Sequence, residues 1–383
     1  MRVTTNTMTD TLVRYLAMQN SQLFKLQQNI SSQKRINKPS DDPVGMGKIL
    51  NYRNNIATVD QYLDNIEQAK SRIEFSEMTL DMVDETLDVI RAISKTEATG
   101  TTTSRNIAAD QVKDLYNQVV DLANSKFGQN FMFSGYQTDT PAYSHTVEIS
   151  GGTADTINFG LSADSSNVTL KIQDNNGNVL RTLAPADIGP GSDGINNVVW
   201  DGRDDGGNLL ADGLYIFTVE AFNASNDPVA DYAVYNGDDG SVTYILGEGT
   251  RLSLDADGRN IFSPENPDGT PAGINIFEVL ADLIYALEND DTSAIADQTK
   301  LLDRAHTQIS EIRAANSPRM YQLETTEEFW SNYKPKLQEL LAKTEEVDLN
   351  EAVMQLKNIE LAYQTTLATA ARIIQPSLLN FLK

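Results

Sequence analysis

Cysteine is absent from the 383 residues. That excludes a disulfide framework, a cysteine-ligated zinc site and a cysteine nucleophile. Histidine is nearly absent too. His145 and His306 are the only two, and neither has a motif partner for metal binding or general acid–base work. Basic residues are scarce: 30 Lys and Arg face 54 Asp and Glu, a formal net charge of −24. Nucleic acid and anionic membrane both require clustered basic side chains, so neither is expected as a partner. No apolar run reaches membrane-spanning length. The N-terminus, Met1-Arg2-Val3-Thr4-Thr5-Asn6, lacks the apolar stretch of a secretory signal. The expectation is a soluble chain that, if exported, uses a route leaving no cleaved signal. Gly-x-Ser-x-Gly, His-Glu-x-x-His and the dinucleotide fingerprint are missing, and no carboxylate spacing suggests a glycosidase pair. The chain therefore reads as a non-enzyme with no cofactor and no metal.

What is present falls into three blocks. Residues 141–273 hold 18 of the 23 glycines; outside them stand only Gly45, Gly47, Gly100, Gly128 and Gly135. Residues 1–140 carry 15 basic and 17 acidic side chains, a net of −2. Residues 141–273 carry 5 and 20, a net of −15, and 274–383 carry 10 and 17, a net of −7. Glycine-rich turns between short β-branched runs predict strands in the middle. The flanks predict helices.

In 7–36, Leu12, Leu16, Leu23, Leu26 and Ile30 follow a 4-3-4-3-4 spacing, with Gln19 in the one polar slot. In 44–98, Tyr52, Val59, Ile66, Ile73, Leu80 and Leu87 repeat every seven residues. Their companions drift from +4 (Ile56, Leu63) to +3 (Val83, Ile90), as a nearly straight helix drifts against a heptad. A third helix fits 104–127, capped by Thr103 or Ser104. The C-terminal flank predicts helices over 275–287, 293–346 and 349–374. Pro318 and Pro335 should bend or break the second, and Pro376 should end the third. The stripes are narrow, as in a coiled-coil seam. An ordinary intrachain bundle fits the same periodicity, so both readings stay open here.

The connector "RINKPSDDPVG", 35–45, is no phosphate loop. Gly45-Met46-Gly47-Lys48 is followed by Ile49, and no strand precedes it. Asp41 and Asp42 alone are too few ligands for a hard cation. Pro39 stops one helix; Ser40, Asp41 and Asp42 offer oxygens to the free amides of the next; Pro43 suits its first position.

Three segments carry a resemblance. "QNISSQKRINKPSDDPVGMGKIL" resembles the N-terminal region of the bacterial flagellin family, in the Pro-Ser-Asp-Asp-Pro form of its hook–filament junction members. "NFMFSGYQTDTPAY", 130–143, is similar to their Phe-x-Phe-x-Gly-x-x-Thr-x-Thr-x-Pro-like segment, with Pro141 here directly after Thr140. "ELAYQTTLATAARIIQPSLLNFL", 360–382, is similar to the family's C-terminal helix. Together the flanks cover about two-thirds of the chain.

In the middle, Val168, Leu170 and Ile172 alternate, turn at Asp174-Asn175-Asn176-Gly177 and continue through Val179: a hairpin. Further strands run through Tyr215, Phe217 and Val219, a spacing that suggests a small sandwich. Trp200, Asp201, Gly202, Asp204, Gly207, Gly213 and Tyr215 resemble the pattern of the immunoglobulin-like domain of the flagellar hook-capping protein. Asp201, Asp205, Gly206 and Asp212 fit an EF-hand count only in part, with Arg203 at its third position and no flanking helices, so turn chemistry is expected there, as at Asp255–Gly258.

The fold class expected is α+β and multidomain. Residues 1–140 form an N-terminal helical region and 274–383 a C-terminal one that pairs with it in a long coiled-coil bundle. Residues 141–146 and 227–273 form a split small β domain, and 147–226 an inserted Ig-like β-sandwich. The resemblance implies a structural adaptor between flagellar hook and filament, outside the cell and exported without a cleaved signal. It implies as partners hook-associated protein 1, flagellin, further copies in a ring, and an export chaperone for the C-terminal helices. Leu12, Leu16, Leu23, Leu26 and Ile30, with Leu356, Ile359, Tyr363, Leu367 and Ile374, are the expected subunit-interface positions. The alternatives are a minor flagellin, or a surface carbohydrate-binding protein that uses the sandwich.

Overall fold

A computed structural model describes residues 5–381 apart from 155, 175, 176, 256 and 267–269, and leaves the side chains of 5, 6, 8, 9, 153, 154, 255 and 372–381 undescribed. The first flank forms α1 (Thr5–Ser32), α2 (Pro43–Glu97) and α3 (Thr102–Ala123). Short strands β1 (Lys126–Phe127) and β2 (Asn130–Phe131) follow. The middle holds β3 (Thr146–Ser150), β4 (Thr153–Ala154), β5 (Thr156–Leu161), β6 (Asn167–Gln173), β7 (Val179–Leu183), α4 (Pro185–Ile188) and β8 (Gly194–Val199). It continues with β9 (Gly213–Phe222), β10 (Pro228–Val229), β11 (Asp231–Tyr232), β12 (Ser241–Gly247), β13 (Thr250–Asp255) and α5 (Arg259–Phe262). The second flank forms α6 (Ile276–Glu288), α7 (Thr292–Glu345) and α8 (Leu349–Phe381). The class is α+β with several domains, as the sequence predicts.

Pro318 and Pro335 do not break α7, and two helix bounds differ from expectation. Helix α7 runs unbroken through Pro318 and Pro335. Each proline removes one hydrogen bond from a 54-residue ladder, and the buried Leu323 and Leu337 hold the flanking turns against neighbours. The backbone of α8 likewise continues past Pro376. Helix α3 starts earlier than expected, and its cap is Thr101, whose hydroxyl accepts the Ser104 amide.

The chain divides into two compact units, 1–64 with 326–383, and 65–325. In the first, α1 packs against α8. There the start of α2 meets the end of α7 through an ion pair, Lys334 Nζ to Asp60 Oδ1 at 2.6 Å, and through Tyr62 against Trp330, centroids 5.1 Å apart.

The second unit has two cores. The helical core joins Leu80, Val83, Leu87 and Ile90 of α2 to Val112 and Val119 of α3, Phe277 and Leu280 of α6, and Leu302 and Ile309 of α7. Of the α2 heptad row, Leu80 and Leu87 lie in this core. Tyr143, from the "TPAY" segment, is sealed in this core. Its ring lies 4.5 Å from Phe277 and 5.7 Å from Phe262, and its hydroxyl bonds the Gly258 carbonyl at 3.1 Å and Ser263 Oγ at 2.9 Å. Burial pushes the phenol far above its ordinary range, so it stays neutral.

The second core lies between two antiparallel sheets. One has the order β4-β3-β9-β6-β7 with β10 added on β9; the other runs β11-β5-β8. Val168, Leu170 and Ile172 of β6 point inward beside Ile157, Phe159, Trp200 and Phe217. The β6–β7 hairpin turns where the sequence places it: Asn178 N–H is accepted by Asp174 Oδ1, and Gly177 takes φ +82°. The hairpin β12–β13 forms a separate two-stranded sheet.

Tyr143→Ala should destabilise the second unit by about 3–5 kcal/mol, the cost of an aromatic cavity. Tyr143→Phe should cost only about 1 kcal/mol, the net worth of its hydroxyl bonds. Urea unfolding with an unchanged m-value checks both; equal losses from the two variants would contradict the packing role.

Candidate assembly interface

The connector 35–45 begins α2 as its composition predicts. Asp42 caps the helix: its Oδ1 accepts the Gly45 amide at 2.9 Å, and Pro43 takes the first helical position. Asp41 turns the other way. Its Oδ2 accepts the amides of Asn37 and Lys38, both at 3.2 Å, and Lys25 Nζ lies 3.2 Å from its Oδ1. Gly45 leaves no room for a side chain. A Cβ there would lie 2.5 Å from both the Asp42 carboxylate and Ile36 Cδ1.

This connector is tied to the one between α7 and α8. The Arg35 amide donates to the Glu345 carbonyl at 2.7 Å, and the Val347 amide donates to the Gln33 carbonyl at 3.1 Å. Glu345 closes the junction, with Oε1 2.5 Å from Lys34 Nζ and 2.6 Å from an Arg53 Nη. Burial pushes its carboxyl up, but the bonds and charges of Lys34 and Arg53 outweigh that and hold it below the ordinary glutamate range.

From this junction α1 and α8 run packed together. Leu12, Leu16, Leu23, Leu26 and Ile30 are half-buried on α1, and Leu356, Ile359 and Tyr363 are half-buried on α8. Leu367 is 44% exposed. Ile374 lies outside the residues with described side chains. The deepest seam positions are small or polar: Ala352, Ala370, Asn29 and Gln19. Gln19 is only 8% exposed, and its Oε1 has no hydrogen-bond partner. A second apolar fringe stays uncovered: Val13 and Phe24 on α1, Met354 and Leu361 on α8, with Leu361 66% exposed. Leu12 and Leu361 line a shallow groove between the two helices, with Ala362, Thr365 and Thr369. The i, i+7 spacing of Met354 and Leu361 marks this fringe in the sequence. Nothing local marks the pairing of Glu345 with Lys34 and Arg53, because it joins residues from opposite ends of the chain.

The other candidate groups are engaged locally. Asp204 accepts the Asn208 amide at 2.8 Å, Asp205 the Thr182 amide at 3.1 Å, and Asp212 the amides of Gly151 and Gly152, both at 3.0 Å. The Asp204 bond is the local turn chemistry expected; Asp205 and Asp212 instead tie their loops to segments distant in sequence. The histidines differ from expectation in having acidic neighbours. His145 Nε2 lies 3.2 Å from Asp231 Oδ2, and His306 Nδ1 lies 2.6 Å from Asp84 Oδ1. Sequence distance hides both pairs. Among the described residues, no group of three or more His, Cys, Asp or Glu is placed to hold a metal ion, and no helix is long and apolar enough to cross a membrane.

Comparison with known proteins places these features. Residues 3–138 match the bacterial flagellin N-terminal helical region, and residues 144–225 match the FlgD Ig-like domain. No curated protein sequence matches the chain. Among solved structures, a flagellar hook-associated protein from Vibrio parahaemolyticus is similar in fold: TM-score 0.51, 16% identity, 80% of this chain and 100% of that one covered. FlgL of Bacillus cereus has a TM-score of 0.44 at 15% identity, covering 76% and 99%. Flagellar hook-associated protein 3 of Legionella pneumophila has 0.41 at 16%, covering 77% and 98%. The similarity of fold rests on the first.

The lowered Glu345 pKa has a pH consequence with a definite sign. Its contribution is fully present above the ordinary glutamate pKa and is lost as pH falls through the folded-state value. Glu345→Gln should therefore cost about 1 kcal/mol at pH 7, given that both cations are half-exposed. It should also lose less stability than the native chain between pH 7 and pH 3.5. Urea titrations of both chains at the two pH values measure this; parallel losses would rule out Glu345 as the titrating group.

Proposed function

We propose that this chain is a structural adaptor that joins the bacterial flagellar hook to the flagellin filament. One observation carries the reading: the helices from the two ends of the chain pack together yet leave an apolar fringe uncovered. A lone pair of narrow-stripe helices buries too little surface to be robust in water. Neighbouring subunits that cover Val13, Phe24, Met354, Leu361 and Leu367 would supply the missing burial. The match of residues 3–138 to a flagellin helical region supports placing that assembly in a flagellum.

On this reading Leu12, Leu16, Leu23, Leu26, Ile30, Leu356, Ile359, Tyr363, Leu367 and Ile374 form the seam through which subunits engage. Hook-associated protein 1 lies on one side, flagellin on the other, and further copies of this chain complete a ring. An export chaperone covers the C-terminal helices before secretion, and the chain leaves the cell without signal cleavage. The helical regions 1–140 and 274–383 do the assembling, while the split β domain, 141–146 with 227–273, and the sandwich, expected over 147–226 and extended in the fold by β10 and β11 to Tyr232, take no part in the seam. The role is structural, not catalytic. A minor flagellin is the second reading, favoured by the same match to the flagellin helical region.

Deletion of the gene separates the two. Hooks without filaments in electron micrographs, with intact flagellin shed into the medium, are expected of the adaptor. Normal filaments would overturn it. In the intact gene, Leu356→Asp and Leu367→Asp should each abolish filament attachment while the second unit keeps its thermal transition. Leu367→Asp cells with normal filaments would remove the C-terminal seam from the interface.

A further inference from the structure

The inserted sandwich does not merely project from the chain; its β5–β8 face borders a groove. Two clefts share Asn158, Tyr235 and Gly237 and so adjoin one another beside the segment 232–237. We propose that this groove binds a neutral oligosaccharide.

The first ground is charge. The groove lies in a block of 5 basic and 20 acidic residues, yet its lining includes just Glu148, Arg259 and Glu265 as charged groups. The rest is mainly amides and hydroxyls. Side-chain amides offer both donors and acceptors, which is the complement of a sugar hydroxyl. A polyanion would meet the repulsion of the surrounding block.

The second ground is geometry. Asn158 of β5 and Asn197 of β8 are direct partners in the ladder, so both amides stand on one face. Cross-strand neighbours lie about 5 Å apart, close enough to engage different hydroxyls of one ring. Neither side chain bonds to the rest of the chain, and Asn197 is exposed. Arg259 also lines the groove, with its guanidinium over the Tyr235 ring, 5.1 Å from the centroid, a contact that holds this side chain at the groove wall.

The inference does not depend on the adaptor reading. It is tested on the full chain with cellohexaose, maltohexaose and chitohexaose as neutral probes. Heparin and a lysine-rich peptide serve as ionic ones. Saturation-transfer NMR should show at least one neutral probe bound, and the affinity should survive 0.5 M salt. Asn197→Ala, at an exposed position, should weaken binding about tenfold, and adding Asn158→Ala should remove it, with the thermal transition unchanged. The proposal is overturned if no neutral probe binds, if the double variant binds normally, or if only heparin or the peptide binds.

Discussion

The first unit depends on one constraint: two narrow-stripe helices from opposite ends of the chain must find each other. Neither α1 nor α8 has a broad enough apolar face to fold alone. Their pairing closes a loop that contains nearly the whole chain, so the entropy of that closure must be met by fixed ties where the helices begin and end. The connectors supply them. The Arg35–Glu345 and Val347–Gln33 backbone bonds set the register, and Glu345 between Lys34 and Arg53 holds it. A slip of one residue along either connector would break both backbone bonds together.

The sandwich is tolerated for a complementary reason. It has its own core, separate from the helical one. The chain enters and leaves it beside the same point, because Tyr143 and Tyr235 form an antiparallel bridge with their rings 5.4 Å apart. An insertion whose ends are already adjacent adds little closure entropy to its host. It is not a loose appendage, however. Tyr232 of β11 belongs to the helical core yet is the ladder partner of Gly160 in β5, where a Cβ would come within 2.2 Å of the ring, so one residue joins the sheet to that core at a point that tolerates no side chain.

Much of this was legible in the sequence because it is local. The α2 heptads, the Asp42 cap, the Asp174–Gly177 turn and the inward row of β6 each follow from periodicity or turn chemistry within a few residues. What was not legible is long-range or cooperative. The prolines in α7 read as bends or breaks, and the helix is nonetheless continuous, because a local rule cannot weigh one lost hydrogen bond against packing along a long helix. Arg105 is another case. Its guanidinium is buried and bonds the carbonyls of Glu97 and Gly100 and the carboxylate of Asp290, fastening the end of α2 to the turn between α6 and α7. Its surroundings in sequence are those of an ordinary surface arginine. Of the candidate interface, the α1 stripe follows from periodicity, whereas the exposure of Val13, Phe24, Met354 and Leu361 depends on how α1 and α8 pair.

Gln19 makes the last step. It occupies the one polar slot of the α1 stripe and is buried with an unmatched acceptor. A leucine there would strengthen the pair, because burying an unpaired amide oxygen costs more than burying a methyl group. A polar seam residue instead lowers the stability of pairings that leave it unmatched and favours those that match it. On the proposed reading, in which subunits engage through this seam, a weakened α1–α8 pair keeps the part separable until its neighbours arrive. Within the chain, Gln19 limits how tightly α1 and α8 can pair.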